Sequence, residues 1–135
     1  MCSNNHLRDL PEELAALTAL KELYINKNRL VTLPPLLFGL GMKKGLNVFN
    51  ASNNELKEVP PGLCECLQLK HVTLYQNDIV QLPFELLHLR ELESLHVYGN
   101  PLMDLPKHIY DHPVAPQDIL TALKDVQLQQ QQQGL

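Results

Sequence analysis

One residue type recurs in the same local frame along the 135-residue chain, at Asn5, Asn28, Asn54, Asn77 and Asn100. The last four each stand eight positions after a leucine: Leu20 with Leu23, Ile25 and Asn28; Leu46 with Phe49, Ala51 and Asn54; Leu69 with Val72, Leu74 and Asn77; Leu92 with Leu95, Val97 and Asn100. All four read L-x-x-L-x-L-x-x-N-x-L with apolar exchanges. A unit this short cannot bury its own apolar side chains. A fixed repetition of it therefore restricts the chain to a stack in which each unit covers its neighbour.

Each asparagine is followed by a second shared pattern, Leu10-Pro11, Leu33-Pro34, Val59-Pro60, Leu82-Pro83 and Leu105-Pro106, with an apolar residue four places after the first of each pair. On these two halves the chain resembles the leucine-rich repeat family, and the L-P-x-x-L half resembles the intracellular class that includes Ras-suppressor-type and scribble-type scaffold proteins. The resemblance implies an α/β solenoid: a right-handed superhelix with a short parallel sheet on its concave face, 3₁₀ or short helical turns on its convex face, and a C-terminal capping helix. It places repeats over residues 1–113, the first truncated, a capping helix over 114–128 and a glutamine-rich tail over 129–135.

Alternation along a strand sends Leu23 and Ile25, Phe49 and Ala51, Val72 and Leu74, and Leu95 and Val97 inward. The repeated asparagines are polar at a place where the pattern turns inward, so their amides need partners among the N–H and C=O groups of the turning backbone. The proline after each step fixes φ and lacks an N–H, which suits a chain leaving the strand for the convex side.

Asparagine spacings of 23, 26, 23 and 23 residues locate a three-residue insertion within Gly41-Met42-Lys43-Lys44-Gly45. It reads as a tolerated bulge or as a loop contacting a partner. Aligned on Asn5, Cys2 falls inside a strand, so no N-terminal cap precedes it. That expectation leaves a fragment, a partial reading frame, or an exposed end that meets a partner or pairs with a second chain. After His112-Pro113 the repeat breaks; Pro116 suits a first helical turn, and Ile119, Leu120, Leu123 and Val126 follow at helical spacing. The run Gln129 to Gln133 reads as a frayed helix end or as disorder.

Apolar residues make up 44% of the chain, with leucine about a fifth of all residues and no tryptophan. Fifteen acidic and 11 basic residues are scattered to a net −4, so no basic stripe exists for a phosphate backbone and nucleic acid is not an expected partner. Three cysteines, Cys2, Cys64 and Cys66, form neither an even disulfide set nor a zinc spacing, and the cysteine clusters that seal extracellular relatives are missing. With no apolar leader stretch among the first twenty residues, these features predict a cytoplasmic protein. No run reaches the roughly 18 apolar residues of a membrane span. Asn50-Ala51-Ser52 matches the glycosylation pattern and is read as coincidence.

No Walker loop, nucleophile elbow, zincin helix or G-x-G-x-x-G appears, so the expectation is a non-enzyme without cofactor or metal. His108 and His112 are spaced as a metal pair but lack an obvious third ligand and read as surface residues. Cys66 takes the place held by Leu17, Leu40 and Leu89 and reads as core filler. Cys64 aligns with Ala15, Phe38 and Leu87 and reads as partly exposed.

The outward strand positions form columns: Glu22, Val48, His71 and Ser94; Tyr24, Asn50, Thr73 and His96; Asn26, Ser52, Tyr75 and Tyr98. Tyrosines, histidines and small polar groups on a rigid sheet suit a protein-binding surface, and the family resemblance implies the concave face as its place. Partner contacts are expected from Glu22, Tyr24, Asn26, Asn50, His71, Thr73, Tyr75, His96 and Tyr98, with the rings of Tyr75 and Tyr98 stacked. The function expected is a non-catalytic interaction module or scaffold for a signalling partner. The alternative is the recognition segment of a larger enzyme such as a ubiquitin ligase or kinase.

Overall fold

Four three-residue strands, β1 (Glu22–Tyr24), β2 (Val48–Asn50), β3 (His71–Thr73) and β4 (Ser94–His96), form a single parallel sheet in chain order. The computed structural model describes residues 21–33, 45–60, 62–103, 105–111 and 115–133, with side chains to residue 130. Expectations resting on Cys2, Asn5, His112, the truncated first unit, its N-terminal edge and most of the 41–45 insertion lie outside these residues.

Registers align Glu22 with Val48, His71 and Ser94; Leu23 with Phe49, Val72 and Leu95; and Tyr24 with Asn50, Thr73 and His96. The backbone ladder continues one residue past the strands, where Ile25 N–H donates to Asn50 C=O at 2.8 Å, Ala51 N–H to Thr73 C=O at 2.9 Å and Leu74 N–H to His96 C=O at 2.8 Å. Ile25, Phe49, Ala51, Val72, Leu74 and Leu95 are completely buried, so alternation persists beyond the nominal strand ends. Stacking identical aliphatic shapes about 4.8 Å apart fills one continuous column.

At Pro60 and Pro83 the chain leaves the sheet and turns back on the convex side. The return is a 3₁₀ turn at Leu63–Glu65, entered through Gly62 at φ 91°, and another at Phe84–His88, entered through extended Pro83. Leu63, Cys66, Leu86 and Leu89 are the convex residues that close the core beneath the sheet.

Two helices finish the described chain, α1 (Lys107–Tyr110) and α2 (Pro116–Gln133). Ile119 and Leu123 of α2 are buried in the core, and the helix packs on α1, β4 and the Phe84–His88 turn. Leu95 and Val97 are buried in the same core. The helix starts at Pro116 and runs to Gln133, longer than the 114–128 cap read from apolar spacing. Residues 117–133 contain no glycine or proline, and glutamine is a good helix former, so nothing ends the helix where the apolar face ends. The architecture is a leucine-rich repeat solenoid. Among the described residues no helix is long and apolar enough to cross a membrane.

Candidate functional site

The asparagines join neighbouring units. Asn54 Nδ2 donates to Ala51 C=O in its own turn and to Ile25 C=O in the preceding one, both at 3.0 Å, while its Oδ1 accepts Leu30 N–H at 3.0 Å. Asn77 repeats the pattern with Leu74, Ala51 and Leu56, and Asn100 with Val97, Leu74 and Ile79. Asn28 donates to Ile25 C=O within its own turn at 3.0 Å. The amide oxygens of Asn54, Asn77 and Asn100 thus each pair a buried N–H of the preceding unit, and the carbonyls of Ile25, Ala51 and Leu74 each accept from two successive asparagines.

The residue before each asparagine takes a left-handed backbone: Lys27 at φ 60°, Asn53 at 57°, Gln76 at 58° and Gly99 at 73°. That twist aims its N–H at the next unit. Lys27 N–H reaches Ser52 C=O at 2.9 Å, Asn53 N–H reaches Tyr75 C=O at 2.9 Å and Gln76 N–H reaches Tyr98 C=O at 3.0 Å. These turns hold the sheet face at constant spacing, and that spacing sets how its side chains meet.

On the face, Tyr75 and Tyr98 stack with ring centroids 4.8 Å apart and planes 4° from parallel. The spacing matches the separation of adjacent strands, so the two rings are brought together by register alone. His96 stands edge-on to Tyr98, 6.2 Å between centroids at 84°. Across the register from Ser94, the Nδ1 of His71 lies 2.8 Å from Ser94 Oγ, and its Nε2 lies 3.5 Å from Glu93 Oε2. Tyr24 Oη donates to Glu22 Oε1 at 3.1 Å, and that bond, ahead of burial and the carboxylate charge, raises the phenol above its ordinary range.

Serine, histidine and glutamate stand in relay order here, but the arrangement does not support hydrolysis. Ser94 N–H already donates to Lys70 C=O at 3.0 Å, Glu93 is exposed and His71 partly so, and neither a free Ser94 N–H for an oxyanion nor a dry site accompanies the hydroxyl.

The structure brings Tyr24, Asn50, Thr73 and His96 into one column and Glu22 and His71 into the next, as the alternation predicts. Tyr75, Tyr98 and Asn26 flank them. Ser52 departs from its column: it is completely buried, because Asn50 Oδ1 accepts both its N–H at 3.1 Å and its hydroxyl at 2.8 Å. The carboxamide oxygen of Asn50 is therefore committed to its own turn. Of the thiols, Cys66 is buried in the leucine position. Cys64 is half-buried; burial first, and then Glu85, Cys66 and Glu65, push its thiol up to about 12. No three histidine, cysteine or carboxylate groups converge on a metal position among the described residues.

Sequence reasoning passed over Tyr110, whose ring is buried under the cap and whose hydroxyl donates to Leu102 C=O at 3.1 Å. The only signal was an aromatic residue in a segment otherwise read for its histidines.

Comparison with known proteins supports a leucine-rich repeat family. The Leucine Rich Repeat model matches residues 19–40. No curated protein matches the chain. Among solved structures, a leucine-rich repeat protein of Leptospira interrogans superposes over 85% of this chain with 29% identity and a TM-score of 0.67. The leucine-rich repeat ectodomain of the plant membrane receptor kinase GASSHO1/SCHENGEN3 from Arabidopsis thaliana, in complex with CASPARIAN STRIP INTEGRITY FACTOR 2, superposes over 68% with 27% identity and a TM-score of 0.58. The chain spans about a quarter of the first protein and about a tenth of the second.

Proposed function

We propose that this chain is a non-catalytic interaction module that holds a protein partner, of the signalling kind, against its concave sheet face. The observation that carries the reading is the Tyr75–Tyr98 stack: two aromatic rings preorganised on a rigid parallel sheet, where ordering them on binding costs little entropy. Tyr24, His71, Thr73 and His96 extend the same face, and Glu22, Asn26 and Asn50 border it. A cytoplasmic place and kinship with Ras-suppressor-type and scribble-type scaffolds belong to the same proposal. They are supported by the L-P-x-x-L half of the repeat and by a thiol, Cys66, used as core filler. The second reading, a recognition segment of a larger enzyme such as a ubiquitin ligase or kinase, is favoured by the small share of its structural relatives that the chain spans.

The test is affinity capture of partners with the wild-type chain and with Tyr75→Ala/Tyr98→Ala, after circular dichroism has established equal folding of both. Loss of specific captured proteins from the double variant is expected. Identical captured sets would remove the concave face as the site.

A further inference from the structure

The stacked tyrosines have a chemistry of their own that does not depend on what the face binds. Tyr75 and Tyr98 hold equivalent places in successive units, with ring centroids 4.8 Å apart and planes 4° from parallel. Both are partly exposed, so a diffusing oxidant reaches them, and the bond from Gln76 N–H to Tyr98 C=O at 3.0 Å ties together the backbone that carries them. A phenol that gives up one electron and its hydroxyl proton becomes a phenoxyl radical, its unpaired spin shared between the oxygen and the ring carbons ortho and para to it. Two such radicals held side by side couple readily, because a bimolecular encounter has become an intramolecular one.

The other two tyrosines are placed differently. Tyr24 is in register with Thr73 two strands away, and its hydroxyl is bonded to Glu22 at 3.1 Å. Tyr110 is buried under the cap with its hydroxyl on Leu102 C=O. Of the four tyrosines in the chain, Tyr75 and Tyr98 are the ones that combine partial exposure with a phenol ring alongside. The torsion that turns a tyrosine ring about its Cβ–Cγ bond is broad. With both rings turned edge to edge at the spacing they already have, the Cε carbons beside the two hydroxyls come inside van der Waals contact, where a carbon–carbon bond can form.

We infer that Tyr75 and Tyr98 are a site of oxidative cross-linking, at which a one-electron oxidant of the haem-peroxidase class joins the two rings through a Cε–Cε bond and staples neighbouring units. Each ring gives one electron to the oxidant and its hydroxyl proton to water, and the two radicals pair to make the new bond. Each Cε hydrogen then leaves as a proton while the oxygen regains one, which restores both phenols. In balance, two C–H bonds are replaced by one C–C bond, and the two electrons and two protons released convert one hydrogen peroxide to two waters.

The experiment treats the full chain at low concentration with a haem peroxidase and limiting hydrogen peroxide, then digests it with trypsin. Cleavage after Lys70, Arg90 and Lys107 leaves Tyr75 and Tyr98 on separate peptides, 71–90 and 91–107, each holding that one tyrosine. The expected product is a monomer lighter by two hydrogens, with dityrosine fluorescence and with those two peptides joined. Its yield should be unchanged on roughly tenfold dilution, as an intramolecular step requires, and should fall several-fold when the chain is unfolded in urea before oxidation. Tyr98→Phe keeps the ring but has no phenol, so the joined peptides should be lost. The linked monomer should unfold at a higher urea concentration than the unlinked one, since a bridge between residues 75 and 98 restricts the unfolded chain. Cross-links through Tyr24, dimers between molecules in place of the joined peptides, an undiminished yield in urea or a lowered urea midpoint would each overturn the inference.

Discussion

The carboxamide oxygen of Asn77 accepts the backbone N–H of Leu56, 21 positions earlier, at 3.1 Å, while its nitrogen donates to the carbonyls of Leu74 and Ala51 at 3.0 Å. One side chain thereby closes its own turn and anchors the previous one. The same atoms recur from Asn54 and Asn100, so cohesion between units comes from a polar ladder beside the aliphatic column.

Asn77→Ala removes four bonds at once, to Leu56, Ala51, Leu74 and Tyr75, and leaves Leu56 N–H and Ala51 C=O buried without this partner. A cost of about 1–3 kcal/mol is expected, read as a lowered urea midpoint with an unchanged slope. Asn77→Asp separates the two halves of the role. Its carboxylate can accept from Leu56 but cannot donate to the carbonyls, so it should not rescue the loss. A midpoint equal to wild type in the alanine variant contradicts the ladder's contribution.

Left-handed turn residues make a second prediction. Gln76 holds φ 58° with a side chain, whereas Gly99, its counterpart in the next unit, holds 73° without one. Gln76→Gly relieves about 1–2 kcal/mol of left-handed strain and loses about 0.5–1 kcal/mol of chain entropy, so a small gain in stability is expected. Gly99→Ala is expected to destabilise, since a Cβ there would come within 2.7 Å of Gln76 Nε2. That end of Gln76 is exposed and can move, so combining Gly99→Ala with Gln76→Gly should cost less than the two separate changes summed. Strict additivity in thermal melts would rule out the contact as a source of the effect.

Much of this fold was legible because a solenoid repeats one nearest-neighbour solution. The asparagine period fixed which residues align across strands, down to Leu23, Phe49, Val72 and Leu95, and it identified Cys66 as a leucine substitute. Tyr75 and Tyr98 were legible as a stacked pair for the same reason. Features that depend on one unit alone were not. Ser52 has the parity of an outward residue and is buried because the neighbouring Asn50 folds back on it, and alternation carries no information about that. Lys27, Asn53 and Gln76 are not glycines, so their left-handed backbone left no compositional mark; the structure reveals it through their shared N–H bonds to the next turn. Tyr110 lies beyond the last repeat, where no period exists to compare it with.

Cys64 is expected to be a slow nucleophile. Its thiol is pushed up to about 12 by burial and then by Glu85, Cys66 and Glu65, so it stays protonated in the folded chain at pH 8.5, while an unfolded cysteine there is partly thiolate. Iodoacetamide with peptide mapping should modify Cys64 far more slowly in buffer than in urea. The sign for stability follows. The folded value lies above the unfolded one, so the contribution is fully present below the unfolded pKa and is lost as pH rises toward 12. Glu85→Gln lowers the thiol toward its ordinary range and should speed alkylation of the folded chain. No change in that rate would exclude the carboxylate as a cause.

The C-terminal helix divides into a part that closes the core and a part that does not. Ile119 and Leu123 are each 1% exposed and lie against the Phe84–His88 turn and the last strand, whereas Leu128 is 46% exposed and Gln129 and Gln130 face water. A buried leucine or isoleucine is worth about 2–5 kcal/mol when truncated, and two together approach the roughly 5–15 kcal/mol of a whole domain. Ile119→Ala/Leu123→Ala should therefore broaden or abolish cooperative unfolding, beginning at the fourth unit, since each unit of a stack depends on its neighbour. Deleting residues 129–135 removes a stretch of helix that begins with the exposed Gln129 and Gln130 and should leave the melting temperature unchanged. Hydrogen exchange resolves the order of events: in the double variant, amides near Leu95 and Val97 should lose protection before those near Phe49. Equal loss in both places would mean that the stack unfolds as one unit and that the helix acts on all of it at once.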